Sequence, residues 1–277
     1  MASLRDQTFH DFETILICIE IDDKIRMISL EYGARLFEDK GKGRCYARNL
    51  GITKAKGDIL VFLDDDVALM EDWLEIVVEE FKSNPKIGGV GGIPITAADD
   101  RLLSRIFSTV YNSMMIKLQG MSQYSNFRSK TDFLSGSNMA FRKSIMTQIG
   151  GFDENFYGPS AGEDIEISLR IREKGYSLIF NPEAVAYHYS DFVGRTSVSH
   201  RDDPLFFQSL ADNQTYWPVK HRLVKGLGWI PYLLFRLLNG FHWMIMTRNI
   251  SVFFSYLQGI QVGRKRAINV LSKTLID

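Results

Sequence analysis

Three consecutive aspartates, Asp64, Asp65 and Asp66, directly follow the short apolar run at residues 59–63. Adjacent carboxylates repel one another, and a divalent cation removes that repulsion. Mg²⁺ typically takes one or two protein carboxylates together with substrate phosphates, and ligands of open α/β sheets bind beyond the carboxyl ends of strands. The triplet therefore predicts a divalent metal site at the end of a strand. The alternative interpretation is a solvated acidic loop that caps the next helix.

A second acidic pair, Glu163 and Asp164, follows Gly162 at the start of a predicted helix. Carboxylates are stabilised at a helix N-terminus by capping and by the helix dipole, so a purely structural cap accounts for the pair. The chemical alternative is a general base that takes the proton of a substrate hydroxyl. A positioned base of this kind contributes about 10²–10⁴-fold to a rate.

Two further signals are weak individually. His188 lies at the end of a predicted strand, where a single histidine is more often structural than a ligand. Residues 133–138 (FLSGSN) place small and polar side chains in a tight turn, where backbone N–H groups can approach a ligand. A plain turn explains the same residues.

The elements that must position these residues alternate between strands and helices, which predicts an α/β domain with a mainly parallel sheet. Glu166 and Arg170 form an i,i+4 pair before the capping Gly175, which favours a helix over a strand at residues 163–174. Strands are predicted at residues 14–21, 59–63, 87–95, 177–180 and 184–188, and a further strand follows the turn at residues 133–138 and ends at residue 142. Helices are predicted at residues 44–53, 72–83, 102–118, 144–149 and 163–174. The helix at residues 72–83 is expected to bury Trp73, Ile76, Val77 and Phe81.

The composition is that of an ordinary globular protein, with 277 residues of which 45% are hydrophobic and 24% charged. Basic and acidic residues are equal at 33 each, so nothing in the net charge favours bulk electrostatic binding of nucleic acid.

Cys18 and Cys45 make no disulfide framework and are expected to be reduced thiols. The N-terminus has no apolar signal segment, so a cytoplasmic location is expected.

The composition changes in the last third of the chain. Residues 226–247 are aromatic and apolar, but Arg236, Asn239 and His242 interrupt a stretch that a membrane span would need nearly uninterrupted. A helix lying in the membrane interface fits this pattern best, and a helix packed on the catalytic domain or a true span are the alternatives. Four basic residues could meet anionic head groups: Arg248, Arg264, Lys265 and Arg266.

The order of the motifs resembles a known family. In chain order the motifs are Ala47-Arg48-Asn49-Leu50-Gly51, Lys56-Gly57-Asp58, Phe62-Leu63-Asp64-Asp65-Asp66, the stretch from Ser135 to Arg142, Gly150-Gly151-Phe152-Asp153-Glu154, Gly162-Glu163-Asp164 with Leu169-Arg170-Ile171 and Lys174-Gly175-Tyr176, and His188. Together they resemble the family 2 glycosyltransferases of GT-A fold over about residues 3–220. The resemblance implies a three-layer α/β sandwich at residues 1–220. The composition of the remaining residues, 221–277, predicts an amphipathic helical region that associates with a membrane.

The resemblance also implies a role for each residue. Asp64 and Asp66 would hold Mn²⁺ or Mg²⁺ on the diphosphate of a UDP-, GDP- or dTDP-linked sugar, and His188 would join the metal. Asp164 would be the general base of an inverting transfer, with Glu163 helping to hold that site. Asp65 and Arg48 would lie near the nucleotide, and Ser135, Gly136 and Asn138 near the sugar and acceptor. The acceptor would be a glycan or a lipid-linked molecule at the cytoplasmic face of a membrane.

The sequence departs from the family at its first strand, which has no counterpart here. Its absence is expected to leave two parallel neighbours without a shared partner. A shortened chain, a strand supplied from elsewhere and a degenerate transferase are three explanations. The acidic residue expected to contact the base is either Glu20 or Asp22. The rival function is accordingly a non-catalytic binding or scaffold subunit. A sugar nucleotidyltransferase would need a glycine-rich, basic loop after its first strand, and a dehydrogenase would need a GxGxxG motif that opens a helix. Neither feature is visible.

Overall fold

The computed structural model describes residues 1–96, 127–189, 203–224 and 226–274 of the chain. These residues form two compact units. The first comprises residues 1–96, 127–154 and 164–189, and the second comprises residues 155–163, 203–224 and 226–274. The helix predicted at residues 102–118 lies outside the described residues. The helix that begins at Pro204 belongs to the second unit. The domain boundary at residue 220 stays a prediction.

Short strands and helices alternate along the first unit. Its strands are β1 (Ile15–Cys18), β2 (Arg35–Glu38), β3 (Ile59–Phe62), β4 (Val67–Leu69), β5 (Ile87–Gly91), β6 (Pro94–Thr96), β7 (Ser129–Thr131), β8 (Met139–Arg142), β9 (Ser177–Phe180) and β10 (Ala186–His188). The helices that accompany them are α1 (Ala2–Arg5), α2 (Asp23–Glu31), α3 (Arg44–Lys54), α4 (Trp73–Ser83), α5 (Lys143–Gln148) and α6 (Glu163–Glu173). Most predicted boundaries are confirmed to within one residue, but α2, β2, β4 and β7 are not among the predicted elements.

The strands form one larger sheet and two smaller ones. The larger sheet has the order β3-β8-β5-β9-β7, the second has the order β4-β10-β6, and β1 pairs in parallel with β2. In the larger sheet, β5 and β9 are the one parallel pair of neighbouring strands among the described residues. Strand β8 runs antiparallel to both β3 and β5, and β7 runs antiparallel to β9. The predicted α/β class is confirmed, but the described sheets are mixed rather than mainly parallel.

A break separates β1 from β3. Among the described residues, β1 pairs only with β2 and β3 pairs only with β8. The beginnings of the two strands are nevertheless close, because the Glu13 carboxylate accepts hydrogen bonds from the backbone N–H groups of Lys56 and Gly57. Among the described residues, no strand pairs with both β1 and β3.

Helix α4 forms much of the core of the first unit. Trp73, Val77 and Phe81 recur every four residues, so they share one face of the helix, and all three are buried. They belong to the same apolar cluster as Ile87 and Val90 of β5. Fully burying a large apolar side chain contributes roughly 1.5–3 kcal/mol. The predicted inward face of this helix is confirmed.

The single strand predicted at residues 87–95 is wrong. Strand β5 ends at Gly91, and β6 begins at Pro94 in a different sheet. At Gly92 between them, an added Cβ would lie 1.9 Å from the carbonyl oxygen of Ala184. The chain therefore passes too close to the turn before β10 for any side chain, and the strand changes sheets there.

Three long helices dominate the second unit: α7 (Pro204–Lys220), α8 (Trp229–Thr247) and α9 (Ile250–Thr274). Helices α7 and α9 approach closely where α9 has Gly259 and Gly263. An added Cβ at these positions would lie 2.2 and 2.3 Å from backbone oxygens of α7, so no larger residue fits there. The helix predicted within residues 226–247 is confirmed as α8. None of the described helices combines the length and apolar character that crossing a lipid bilayer requires.

Candidate active site

The acidic triplet at residues 64–66 lies in the tight connection between β3 and β4. The backbone N–H of Val67 donates to the Asp64 carbonyl at 3.2 Å, which closes the turn. Strand β4 then pairs antiparallel with β10, so that Val67 lies opposite His188. This register brings His188 beside Asp66, 122 residues earlier in the chain by sequence number.

The side chains of Asp64, Asp66 and His188 fit a divalent cation. One ligand atom from each can be chosen so that all three lie within 4.8 Å of one another. His188 Nε2 lies 3.1 Å from Asp66 Oδ1, yet this buried oxygen accepts no well-aligned hydrogen bond from the described residues. Carboxylates suit Mn²⁺ and Mg²⁺, and imidazole is tolerated by transition metals. A cation held here would supply the partner that the Asp66 oxygen needs.

Arg48 joins the triplet to the rest of the site from α3. Its Nη2 lies 3.4 Å from Asp64 Oδ1 and donates to the Gly136 carbonyl at 3.3 Å. The guanidinium also lies 5.2 Å from the centre of the Phe152 ring. A buried arginine between a carboxylate and a carbonyl both offsets negative charge and fixes the distance between the two loops.

The turn at residues 135–138 holds the candidate base. The Gly136 N–H donates to Asp164 Oδ2 at 3.0 Å, and the Ile165 N–H donates to Oδ1 at 2.9 Å. The Ser168 hydroxyl donates to the Asp164 carbonyl at 2.6 Å. These bonds fix the orientation of the carboxylate at the start of α6, while the Asp164 residue remains partly exposed.

The environment of Asp164 makes it a better base than a solvated aspartate. Burial raises the pKa of Asp164, while the N–H groups of Gly136 and Ile165 and the charge of Arg48 act in the opposite direction. Burial disfavours the charged form of a carboxyl group because it removes water. A carboxylate with a raised pKa holds a transferred proton more firmly.

Asn138 was predicted to lie near the sugar and acceptor, and in the structure its side chain points into the core. Its side chain is fully buried, and Oδ1 accepts from Trp73 Nε1 at 3.0 Å. Its Nδ2 donates to the carbonyls of Ile93 and Ala184 at 3.2 and 2.9 Å. A buried amide with these three partners is a brace between core segments. Of the predicted turn residues, Ser135 and Gly136 remain partly exposed.

Several carboxylates surround the carboxyl end of β1. Burial raises the pKa of Cys18 at the end of β1, and the negative charges of Asp39, Asp22 and Asp65 raise that pKa further. Asp22 caps α2 by accepting a backbone N–H at 2.7 Å, whereas Glu20 is exposed. Both residues remain predicted contacts of a nucleotide.

Asp39 is a site candidate that the sequence analysis missed. It follows β2, is buried, and accepts the Gly41 N–H at 3.0 Å. The loop around it has positive φ angles at Lys40, Gly41 and Gly43. Its signal in the sequence is an aspartate before a Lys-Gly-Lys-Gly run. That signal was overlooked because β2 was not predicted.

A buried ion pair anchors α6, the helix that begins with Glu163 and Asp164. Arg170 donates to both carboxylate oxygens of Glu166, each at 3.0 Å. The same guanidinium donates to backbone carbonyls at residues 149 and 151. Glu163 itself is buried at the first position of the helix. The helix is therefore fixed to the turn after α5, and the position of Asp164 with it.

Known proteins with similar sequences are glycosyltransferases. The family model described as Glycosyltransferase like family 2 matches residues 2–202. The glucosyl-dolichyl phosphate glucuronosyltransferase of Haloferax volcanii is 23% identical over 199 residues, which are 68% of this chain and 62% of that protein. The poly-beta-1,6-N-acetyl-D-glucosamine synthase of Staphylococcus aureus is 26% identical over 148 residues, 53% of this chain and 34% of that protein. The chain spans less than two thirds of either relative.

Solved structures share the fold. The mannosyltransferase PcManGT of Pyrobaculum calidifontis, in complex with GDP-Man and Mn²⁺, covers 99% of this chain and 74% of its own, with 16% identity and a TM-score of 0.56. GalNAc-T7, with UDP, GalNAc and Mn²⁺, covers 79% of this chain and 46% of its own, with 17% identity and a TM-score of 0.51. The predicted GT-A architecture is confirmed.

Proposed function

The chain belongs to the glycosyltransferase-like family 2, and on this premise we propose that it transfers a sugar from a nucleotide-sugar donor to an acceptor hydroxyl with inversion. The observation that carries the proposal is the convergence of Asp64, Asp66 and His188 with a bridge from Asp64 through Arg48 to the turn that holds Asp164. This arrangement provides a cation site and a base within one compact unit.

Asp164 is the proposed base. It accepts the proton of the acceptor hydroxyl while the hydroxyl oxygen forms a bond to the anomeric carbon, and the bond from that carbon to the diphosphate breaks. The nucleoside diphosphate leaves with the electron pair of the broken bond. A divalent cation at Asp64, Asp66 and His188 would stabilise the negative charge on the departing diphosphate. Attack opposite the leaving group inverts the anomeric configuration.

The other site residues position these groups. Arg48 keeps Asp64 and the Gly136 turn at a fixed separation, and the Gly136 N–H orients one oxygen of Asp164. Preorganised charges of this kind need no rearrangement during reaction. The relatives named above support a glycan or lipid-linked acceptor, and UDP- and GDP-linked donors are the first to test.

A second function stays open because of the break between β1 and β3. These strands lie in separate sheets, and the predicted contact of the nucleotide base is Glu20 or Asp22, which follow β1. A protein that cannot bind the base would be a non-catalytic binding or scaffold subunit of the same fold.

Calorimetry with Mn²⁺ and a panel of nucleoside diphosphates separates the two functions. We expect binding that depends on Mn²⁺ and that weakens by at least about 10-fold in Asp66→Ala, because even indirect partners of a metal contribute 10–100-fold to its affinity. Asp11→Ala removes an exposed carboxylate outside the site and should bind like the wild type. A well-folded wild type that binds no nucleotide would establish the non-catalytic alternative.

A further inference from the structure

Helix α8 packs inside its unit through a face that combines polar and aromatic side chains. Tyr232, Arg236 and Gly240 recur every four residues and are buried. The Arg236 guanidinium donates to Gln214 Oε1 at 2.6 Å and lies 5.0 Å from the centre of the Tyr256 ring. Trp243 on the same face packs against Phe207. The leucines of α8 therefore lie outside the face that holds the helix in its unit.

The opposite face of α8 is apolar and exposed. The large exposed side chains on and beside this helix are Leu227, Ile230, Leu233, Leu234, Leu237, Leu238, Phe241, Ile245 and Met246. Ile230, Leu234 and Leu238 recur every four residues, and Ile230 and Leu234 are 67% and 57% exposed. Contiguous exposed apolar patches of this kind mark interaction sites for proteins or membranes.

The charge of this region favours one of those partners. From residue 204 to residue 274 the sequence has nine lysines and arginines and a single carboxylate, Asp212, although the whole chain has zero net charge. Asp212 is buried and paired with Arg266, so it does not offset the surface charge. The exposed cations among the described residues of this stretch are Arg222, Arg248, Arg264, Lys265 and Lys273. Such a surface complements negative charge.

A cavity of about 270 Å³ lies at the start of α8. Arg222, Arg264 and Trp229 contribute to its lining together with the apolar side chains of Val219 and Ile268. The Arg264 guanidinium lies 5.0 Å from the centre of a Trp229 ring. Two guanidinium groups beside aliphatic walls provide partners for a phosphate and for the carbon chain attached to it.

We propose that the exposed face of α8 lies on the surface of a membrane that contains anionic phospholipids, with a lipid phosphate in the Arg222–Arg264 cavity. The leucines enter the boundary between head groups and acyl chains, and the cations remain at the level of the head groups. Trp229 lies at one end of the helix, as aromatic side chains do at membrane interfaces. This inference does not rest on the proposed transfer reaction, because membrane binding is measured without a sugar donor.

The test is co-sedimentation of the full chain with vesicles of phosphatidylcholine alone or mixed with phosphatidylserine. We expect binding to the mixed vesicles, and a loss of at least about 10-fold in Leu234→Glu/Leu238→Glu because each leucine loses the transfer energy of a buried aliphatic side chain. Leu205→Glu, an exposed leucine of α7, is the matched control and should retain binding. Equal binding by the double variant and the control would overturn the proposal.

A second pair of variants tests the cavity. Arg222→Gln/Arg264→Gln should lose the preference for phosphatidylserine, whereas Lys24→Gln/Arg26→Gln removes the same charge from exposed positions on α2 and should keep it. An equal loss in both pairs would overturn the assignment of the phosphate to the cavity. Sedimentation velocity distinguishes a protein partner: a wild-type dimer that Leu234→Glu/Leu238→Glu dissociates, with no vesicle binding, would overturn the membrane proposal.

Discussion

The two compact units distribute charge in opposite ways. In the first unit, α4 packs Trp73 and Val77 into an apolar core, and the carboxylates of Asp64 and Asp66 lie at the edge of that core. In the second unit, α8 buries Arg236 and exposes leucines. The first arrangement suits a polar ligand in water, and the second suits an apolar surface. The contrast shows that burial alone does not identify the working face of a helix.

Two carboxylates with raised pKa values sharpen the comparison. Burial raises the pKa of both Asp164 in the first unit and Asp212 in the second. Asp212 is fully buried, accepts from the Tyr157 hydroxyl and pairs with Arg266 at 2.7 Å. Asp164 is partly exposed and is held by backbone N–H groups. Accessibility to a substrate therefore distinguishes a candidate base from a structural ion pair.

The largest expected effect is on turnover. Asp164→Asn should lower kcat by roughly 10²–10⁴-fold because an amide cannot accept the proton of the acceptor, while the affinity for a nucleoside diphosphate with Mn²⁺ stays nearly unchanged. Steady-state kinetics and calorimetry on the same preparation measure the two effects. Glu79→Gln, which alters an exposed carboxylate paired with Lys82, is the control. Substantial turnover in Asp164→Asn would show that another group is the base.

Asp212→Ala should reduce stability instead of chemistry. Removing one partner of a buried ion pair costs about 3–5 kcal/mol because the remaining charge is left without compensation. Denaturant unfolding should show this loss, and Tyr157→Phe, which removes only one hydrogen bond to Asp212, should cost about 1 kcal/mol. An Asp212→Ala variant as stable as the wild type but without turnover would reverse the roles assigned to the two carboxylates.

The smallest effect is on the pH dependence. Asp164 acts as a base only when deprotonated, and burial raises its pKa. As the pH is lowered, kcat/KM should therefore begin to fall at a pH above the ordinary aspartate pKa of about 3.9. Arg48 lowers this pKa, so Arg48→Gln should move the acid limb further upward. A pH profile of kcat/KM for both proteins measures the shift. An acid limb that stays in place in Arg48→Gln would contradict the electrostatic link between Arg48 and Asp164.

Much of the first unit could be predicted from local patterns. The four-residue spacing of Trp73, Val77 and Phe81 predicted α4 because the helical period is a property of the sequence itself. The apolar run at residues 59–63 predicted β3, and the acidic triplet that follows this run was therefore expected at the end of the strand. The order of the motifs then predicted which distant segments meet, and His188 does lie beside Asp66.

Other features depend on contacts that no local pattern encodes. The break at Gly92 arises from the close approach of the Ala184 carbonyl, and the burial of Asn138 arises from partners on three separate segments. The resemblance to the family implied that Asn138 lies near the sugar and acceptor, but a motif does not encode which partners its amide meets. The amphipathic pattern of α8 was recognised, but only the packing of Tyr232 and Arg236 shows which face is left outside.

The central claim is that Asp64, Asp66 and His188 hold a divalent cation on the diphosphate of a donor. Crystals grown with Mn²⁺ and a nucleoside diphosphate test it most directly, because Mn²⁺ gives an anomalous scattering signal. The account predicts one anomalous peak within bonding distance of an Asp66 oxygen and of His188, with diphosphate oxygens on its open side. A nucleotide bound elsewhere, or a peak that none of the three side chains contacts, would contradict it.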